Sequence, residues 1–282
     1  MRVTARDQQI IQMVYEYRLV SSEHIEALLF RSPQPRGRRS SCQRRLQLLY
    51  HHQFVGRLAL PVIMSEGRTP FVYVLDEAGI TWVAAHLGVA RATAGWQPKS
   101  TRLGPLFIDH LLAINDVRVV VAALAQSSDL TLAEWISEAD FRGAAFKERV
   151  PFKMRGARVT RTYPDGYFRL AVRENKPEAH FFLEVDQGTM SATRWKEKIT
   201  AYTQFRSRGL SETHFGTQNF RVLTVTTSDR RLANLKRATE SAEGDRYFWF
   251  TTQAYIDIWK PKTFLEPVWS VATQEGTHAL FG

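Results

Sequence analysis

The stretch His180-Phe181-Phe182-Leu183-Glu184-Val185-Asp186 is the strongest strand signal in the chain and decides how the surrounding residues are interpreted. It is a short apolar run with aromatic and β-branched residues, which is typical of a buried strand. Because residues two apart on a strand project from the same face, Glu184 and Asp186 are predicted to point to one side. The stretch therefore predicts a sheet that carries two carboxylates on one face.

Helices and strands are predicted on both sides of this strand. Before it come a helix from Phe107 to about Gln126, a strand at 130–136 and an extended stretch that ends at 163–170. After it come a helix at about 192–207, a strand at 221–226, a helix at 229–241, a strand at 247–251 and a closing helix near 255–259. This order predicts an α/β (α+β) domain over residues 106–282.

The order helix, three strands, helix, strand (αβββαβ) resembles the core of the PD-(D/E)xK nuclease superfamily. The resemblance implies a divalent metal, Mg²⁺ or Mn²⁺, held by Asp165, Glu184 and Asp186, because such hard cations bind carboxylate oxygens. Glu138 is a further catalytic candidate just beyond the first of these strands. The superfamily pattern, however, would place a lysine where this chain has Asp186, and no other cofactor is predicted.

Lys198 is the candidate that could replace the missing lysine. At about 100° per residue it falls within the same helical arc as four apolar or aromatic side chains, Trp195, Ile199, Tyr202 and Phe205, whereas Lys196 falls outside it. A lysine on a packing face needs a carboxylate partner, so Lys198 is predicted to reach the acidic cluster. Two interpretations stay open: a migrated catalytic lysine, or a structural ion pair in a metal-free scaffold.

The positive charge of the chain is concentrated near the N-terminus. The net charge is +10, and residues 27–65 contain seven arginines but no Asp, Glu or Lys. A basic patch without acids favours a polyanionic partner, and arginine forms two-point contacts with phosphate or guanine. Double-stranded DNA is the predicted partner.

The first 89 residues are predicted to form a winged helix. Helices are expected at 4–17, from Ser21 or Ser22 to Leu29, from Ser40 or Ser41 to Tyr50 and at 77–87, with strands at 55–62 and 71–75. The third helix of such a domain enters the major groove, and the strand ribbon contacts the flanking backbone. The predicted DNA-binding residues are Arg36, Arg38, Arg39, Ser41, Gln43, Arg44, Arg45, Arg57 and Arg68. The alternative is a solvated arginine-rich helix in a protein-binding domain.

Other features restrict the class of protein. Residues 90–105 lack a sustained period and contain Gly and Pro, which predicts a linker. The chain has one cysteine, Cys42, which excludes an internal disulfide, and no apolar run approaches the ~18 residues of a membrane span. A cytoplasmic protein without membrane contacts is expected. Phosphate-binding glycine loops, zinc-ligand spacing and the His-x-His pattern of strand-nicking relaxases are not found in the sequence.

Several stretches together resemble the replication-relaxation family of plasmids and conjugative elements. They are Phe71-Val-Tyr-Val-Leu-Asp-Glu-Ala-Gly79, His110-Leu-Leu-Ala-Ile-Asn-Asp-Val-Arg118, Trp135-Ile-Ser-Glu138, Pro164-Asp-Gly166, Phe182-Leu-Glu-Val-Asp-Gln-Gly-Thr189, Lys198 and Tyr202. The resemblance implies a role in replication, mobilisation or maintenance of a mobile element, beside a relaxase or other replication or conjugation proteins.

Three functions follow as hypotheses. The first is a double-stranded-DNA-binding protein whose nuclease-like domain is a scaffold or recruitment module. The second is a Mg²⁺-dependent endonuclease that the winged helix directs to DNA, and the third is a transcriptional repressor. The sequence leaves open the DNA site, the identity of the protein partners, and whether the chain forms a homodimer.

Overall fold

The computed structural model describes residues 1–30, 34–58, 71–94, 104–143, 163–172 and 178–281. The chain divides into two compact units, Met1–Val119 and Val120–Gly282. The sequence placed the start of the second domain at residue 106, near the start of the long helix, whereas the first unit includes about two thirds of that helix. Residues 95–103 of the predicted linker lie outside the described residues.

The first unit contains helices and a small antiparallel sheet. The helices are α1 (Ala5–Tyr17), α2 (Ser22–Leu29), α3 (Pro35–His51), α4 (Glu77–Leu87), α5 (Arg91–Ala94) and the start of α6 (Pro105–Ser127). The strands are β1 (Val20–Ser21), β2 (Val55–Leu58) and β3 (Val72–Leu75), paired in the order β1-β3-β2. The predicted order of elements is present, with β1 and α5 added. Both are too short for periodicity to reveal, and α5 lies within the predicted linker. The predicted hairpin tip lies outside the described residues.

Side-chain caps explain where the first helices begin. Thr4 and Asp7 form a reciprocal capping box at α1, and Ser21 and His24 form one at α2. The predicted start of α3 at Ser40 or Ser41 is wrong, because the helix begins at Pro35. Proline is well suited to the first helical position, since its missing N–H would have no partner there and its φ already suits a helix.

The N-terminal part of α6 is held within the first unit by polar and apolar contacts. Asn115 is buried, and its Nδ2 donates to the carbonyl oxygens of Leu19 (2.7 Å) and Tyr17 (3.2 Å). Ile108 packs in one apolar cluster with Leu19 and Val72. These long-range contacts extend the unit beyond the predicted linker, because they join α6 to the end of α1 and to the residues after it.

The second unit is built on a six-stranded sheet. Its strands are β4 (Leu130–Ser137), β5 (Gly166–Val172), β6 (Ala179–Asp186), β7 (Phe220–Thr226), β8 (Phe248–Thr252) and β9 (Ser270–Val271), adjacent in this order. Strands β6, β7 and β8 are parallel, and the other neighbours are antiparallel. The helices are α7 (Glu138–Arg142), α8 (Ala192–Ser207), α9 (Leu210–Phe215) and α10 (Asp229–Glu240). The predicted mixed α/β class is confirmed.

Helix α8 supplies much of the core on one face of this sheet. Trp195, Ile199, Tyr202 and Phe205 are all buried in one cluster with Phe182 of β6. The predicted packing arc of α8 is therefore confirmed. No helix among the described residues is both long and apolar enough to cross a bilayer.

The end of the chain differs from the prediction. The expected closing helix near Tyr255–Trp259 is replaced by two short 3₁₀ turns, Gln253–Tyr255 and Pro261–Leu265. Pro261 has no N–H to continue a helix, so a helical turn can only begin again there. The short elements α7, α9 and β9 were not predicted, since each has too few residues to establish a period.

Candidate nucleic-acid interface and acidic cluster

Helix α3 presents a polar face without acids. None of its residues is acidic. Five of the exposed polar side chains within an arc of about 140° form what we call the α3 polar face: Arg36, Arg39, Gln43, Arg44 and Gln47. None of the three arginines forms an ion pair with another described residue. Ser41 is also exposed, beside this face. Gln47 was missed, although its spacing of four from Gln43 could have indicated it.

Two of the predicted DNA-binding arginines lie on the inner side of α3. Arg45 directs Nε (2.7 Å) and Nη2 to the carboxylate of Asp7, which is fully buried at the start of α1. Arg38 directs Nε to Glu26 of α2 at 2.8 Å. Arg38 and Arg45 thus have carboxylate partners within the unit, whereas the sequence predicted them as DNA-binding residues. Acids near α3 in space come from other helices, so their distance along the chain hid them.

The Asp7 carboxylate is stabilised in its charged form. Burial alone would raise its pKa, but hydrogen bonds from Arg45 and from the backbone and hydroxyl of Thr4 bring the pKa below its ordinary value. One carboxylate thus completes the α1 capping box and fixes α3 against α1. Arg45 is a structural residue of this unit.

Arg57, on β2, packs among three aromatic rings. Its guanidinium carbon is 4.3 Å from the centre of the Tyr50 ring, 4.7 Å from Phe71 and 5.7 Å from Tyr73. Its Nε is buried without a hydrogen-bond partner among the described residues. The strand position of Arg57 agrees with its predicted place on the ribbon. Arg68, also predicted there, lies outside the described residues.

In the second unit, Glu184 is the centre of the acidic cluster. Its side chain is buried, forms an ion pair with Lys198 and accepts a 2.7 Å hydrogen bond from the Tyr202 hydroxyl. Burial raises the pKa of Glu184 to about 7, and the nearby Asp165 carboxylate adds to this effect, while Lys198 opposes it. The predicted contact between Lys198 and the cluster is confirmed, and Lys196 is exposed as expected.

Asp165 is fixed to the middle of β6 by its own backbone and side chain. Its Oδ2 accepts from the Val185 N–H at 2.7 Å, and its N–H donates to the Leu183 carbonyl at 3.0 Å. The Pro164-Asp165 pair therefore continues the pairing of β5 with β6 by one residue. This places the Asp165 carboxylate close enough to Glu184 to affect its pKa.

Asp186 has a different set of partners. Arg231, in the first turn of α10, donates to it from Nε (2.7 Å) and Nη2 (2.9 Å), and the Thr226 hydroxyl donates at 2.8 Å. Burial raises the pKa of Asp186, but these bonds outweigh burial and lower it overall. Arg231 also donates to the Met190 carbonyl at 2.6 Å. Sequence reasoning missed Arg231, since no local spacing connects it with Asp186.

The predicted metal ligands do not fit a divalent cation in this arrangement. Glu184 and Asp186 share a face of β6, but each carboxylate accepts from cationic and hydroxyl donors rather than converging with the other. Within the described ranges, no three acidic, histidine or cysteine side chains are grouped as metal ligands. Glu138, at the start of α7, pairs with Arg142. Asp165, Glu184 and Asp186 are therefore not grouped as the three-carboxylate site that the sequence predicted.

Comparisons with known proteins give one family and one distant structural neighbour. A family model described as replication-relaxation matches residues 11–220. A solved structure titled as restriction endonuclease FokI bound to DNA matches at 11% identity and a TM-score of 0.29, covering 92% of this chain. This chain spans only 44% of that one, and so low a score supports no conclusion about fold or chemistry. No curated protein matches the sequence.

Proposed function

Since the chain belongs to the replication-relaxation family, we propose that it binds double-stranded DNA in the cytoplasm during replication, mobilisation or maintenance of a mobile element. The observation that carries this proposal is the α3 polar face. Its three arginines are exposed on a helix without acids, and they form no ion pair with another described residue. Such a surface releases counterions from a phosphate backbone when it binds.

We assign the first unit to the winged-helix class of DNA-binding domains. Helices α1, α2 and α3 precede the β2–β3 ribbon along the chain, which is the order of that class. In this arrangement α3 enters the major groove with the α3 polar face toward the bases, and the ribbon, with Arg57, follows the flanking backbone. Arg68 stays a predicted DNA-binding residue. Arginine pairs best with guanine and glutamine with adenine, so Arg44 and Gln43 are the proposed base-reading residues.

We propose that the second unit is a scaffold or recruitment module rather than a nuclease. Two of its three cluster carboxylates have cationic partners, because Lys198 pairs with Glu184 and Arg231 pairs with Asp186. The proposed partners of this module are a relaxase or other replication or conjugation proteins. A nuclease would need the same carboxylates to be open to a metal and to DNA.

Fluorescence anisotropy with a labelled duplex library tests DNA binding. Arg39→Gln and Arg44→Gln should each weaken binding, by about 1–3 kcal/mol where the side chain reads a base. The matched control is Arg230→Gln, which removes an equally exposed positive charge from α10. Equal losses in the variants and the control would contradict the assigned face, because only net charge would then matter.

A plasmid assay separates the scaffold from the endonuclease. Supercoiled plasmid incubated with the protein and Mg²⁺ or Mn²⁺ should remain uncut while duplex binding is intact. Nicking that Asp165→Ala or Glu184→Ala abolishes would instead establish the enzyme.

A further inference from the structure

The second unit contains a pocket at the opposite ends of its parallel strands from Asp186. It has a volume of about 480 Å³ and is lined by the starts of β6 and β7 and by the residues that lead into β8. His180 lies at this end of β6, six residues before Asp186, so the two are roughly 20 Å apart along the strand. The pocket is therefore separate from the acidic cluster.

The lining of the pocket is positively charged. Arg221 and Arg246 both line it, and neither forms an ion pair with another described residue. The carboxylate in the lining, Glu178, is already paired with Arg169. His180 contributes no charge at neutral pH, because burial lowers its pKa and its Nδ1 is 2.7 Å from the Tyr167 hydroxyl. A ligand in this pocket would meet two guanidinium groups, while the Glu178 carboxylate is engaged by Arg169.

Arg221 is held in place before any ligand arrives. Its guanidinium carbon is 4.5 Å from the centre of the Trp249 ring, and Nη1 donates to the Leu280 carbonyl. Within the described part of the chain, the Arg221 guanidinium forms this hydrogen bond. Its remaining N–H groups can donate to a ligand. A fixed fork loses little freedom on binding, which favours two-point recognition of a phosphate.

Aromatic rings lie beside these cations. Tyr247 is half-buried in the lining, and its ring is covered by Arg206, whose guanidinium carbon is 3.5 Å from the ring centre. Phe181 and Trp249 complete the apolar wall. Aromatic rings and arginine planes are the surfaces on which nucleobases stack. The volume lies within the range of about 300–1,000 Å³ typical of small-ligand sites, which suits a single nucleotide but not a duplex.

We propose that this pocket binds one nucleotide, with its phosphate on Arg221 and Arg246 and its base against the Tyr247–Trp249 wall. The nucleotide is either a free mononucleotide or one unit of a single DNA strand, since both present the same chemistry. This site goes beyond the proposed duplex binding by α3 and does not depend on it. It gives the second unit a direct contact with nucleic acid.

Isothermal titration calorimetry on the full chain tests the proposal. The probes are deoxyadenosine 5′-monophosphate, a short oligo-dT single strand, and inorganic phosphate. Arg221→Gln should weaken binding of the nucleotide by about 10- to 100-fold, because charge-assisted hydrogen bonds to its phosphate are lost. Arg246→Gln is the second variant, because Arg246 is exposed and its loss leaves the core intact. Arg230→Gln, outside the pocket, is the charge-matched control and should bind like the wild type.

The outcomes discriminate clearly. Binding of the mononucleotide that depends on Arg221 supports the site and identifies a free ligand; binding of the single strand alone, with the same dependence, supports the site and identifies DNA. The proposal would be overturned if Arg221→Gln, Arg246→Gln and the control Arg230→Gln all lost the same amount of nucleotide affinity. It would also be overturned if inorganic phosphate bound as tightly as the nucleotide. Absence of binding by every probe would also overturn it. None of these results depends on Arg39 or Arg44, so failure here is distinguishable from failure of duplex binding.

Discussion

Tyr202 donates its hydroxyl hydrogen to Glu184 at 2.7 Å, and Lys198, one helical turn earlier on α8, binds the other carboxylate oxygen. One buried side chain on β6 thus takes donors from two residues four apart on one helix. Helix α8 is fixed to the sheet by polar bonds as well as by its apolar face. The ion pair is expected to be required for stability once Glu184 is charged.

Lys198→Met should destabilise the second unit by about 3–5 kcal/mol at pH 8, because it leaves a buried carboxylate without its counter-charge. The free energy of unfolding from urea titration measures the effect. The double variant Glu184→Gln/Lys198→Met should recover most of the loss. Failure of the second substitution to restore stability would mean that Lys198 acts through packing alone.

The stability of the second unit should depend on the protonation of Glu184. Its pKa is about 7 in the folded chain against an ordinary 4.5, so the folded state favours the protonated form. The stabilisation that comes from this protonated carboxyl is therefore complete below about pH 4.5 and is lost as the pH rises through about 7. Relative to Glu184→Gln, the wild type should lose on the order of 2 kcal/mol of unfolding free energy between pH 5 and pH 8. Parallel pH profiles for the two proteins would contradict the raised pKa.

Arg231→Lys should not preserve the contact with Asp186. A lysine has no planar fork, so it cannot bind both carboxylate oxygens and the Met190 carbonyl in the same geometry. We expect a loss of about 1–2 kcal/mol at pH 7. Because the folded pKa of Asp186 is lowered, this contribution is present above its ordinary pKa of 3.8 and disappears as the pH falls below it. A loss that stays constant down to pH 2 would exclude an electrostatic cause.

Arg44 and Arg45 are adjacent but should behave oppositely. Arg45→Ala should lower stability by about 1–3 kcal/mol, since it leaves the buried Asp7 carboxylate with fewer donors. Arg44→Ala should leave the unfolding free energy within about 0.5 kcal/mol, because the side chain is exposed, and should reduce DNA affinity instead. Chemical denaturation and anisotropy on the same two proteins measure both effects. An Arg45→Ala variant that keeps its stability but binds DNA more weakly would contradict the structural role of Arg45 and would assign it to the DNA interface.

The salt dependence of DNA binding distinguishes phosphate contacts from base contacts. Removing a side chain that neutralises one phosphate should lower the slope of log affinity against log salt by about 0.9. We expect this for Arg36→Gln, at the start of α3, and an unchanged slope for Gln43→Ala. Anisotropy titrations at four salt concentrations give the slopes. The same slope for wild type and Arg36→Gln would remove Arg36 from the phosphate contacts.

Local patterns were sufficient for much of the fold and for one long-range contact. Helix α4 begins and ends at the predicted residues, and the Glu184–Lys198 contact follows from the helical arc of α8 and the energetic need of a buried lysine for a carboxylate. The exposed arginines of α3 also follow from helical spacing. Periodicity and charge determine which side of an element is buried, because they depend only on neighbouring residues.

The partners of the carboxylates were decided by tertiary structure. Glu184 and Asp186 share one face of β6, as the spacing of two requires, yet one meets α8 and the other meets Arg231 of α10. Likewise, Asp7 pairs with Arg45, which lies 38 residues later, and Glu26 pairs with Arg38, 12 residues later. The sequence by itself determined which residues carry charge and which way each element faces. Only packing, by bringing distant elements within hydrogen-bond distance, decided which charges neutralise each other and which arginines remain at the surface.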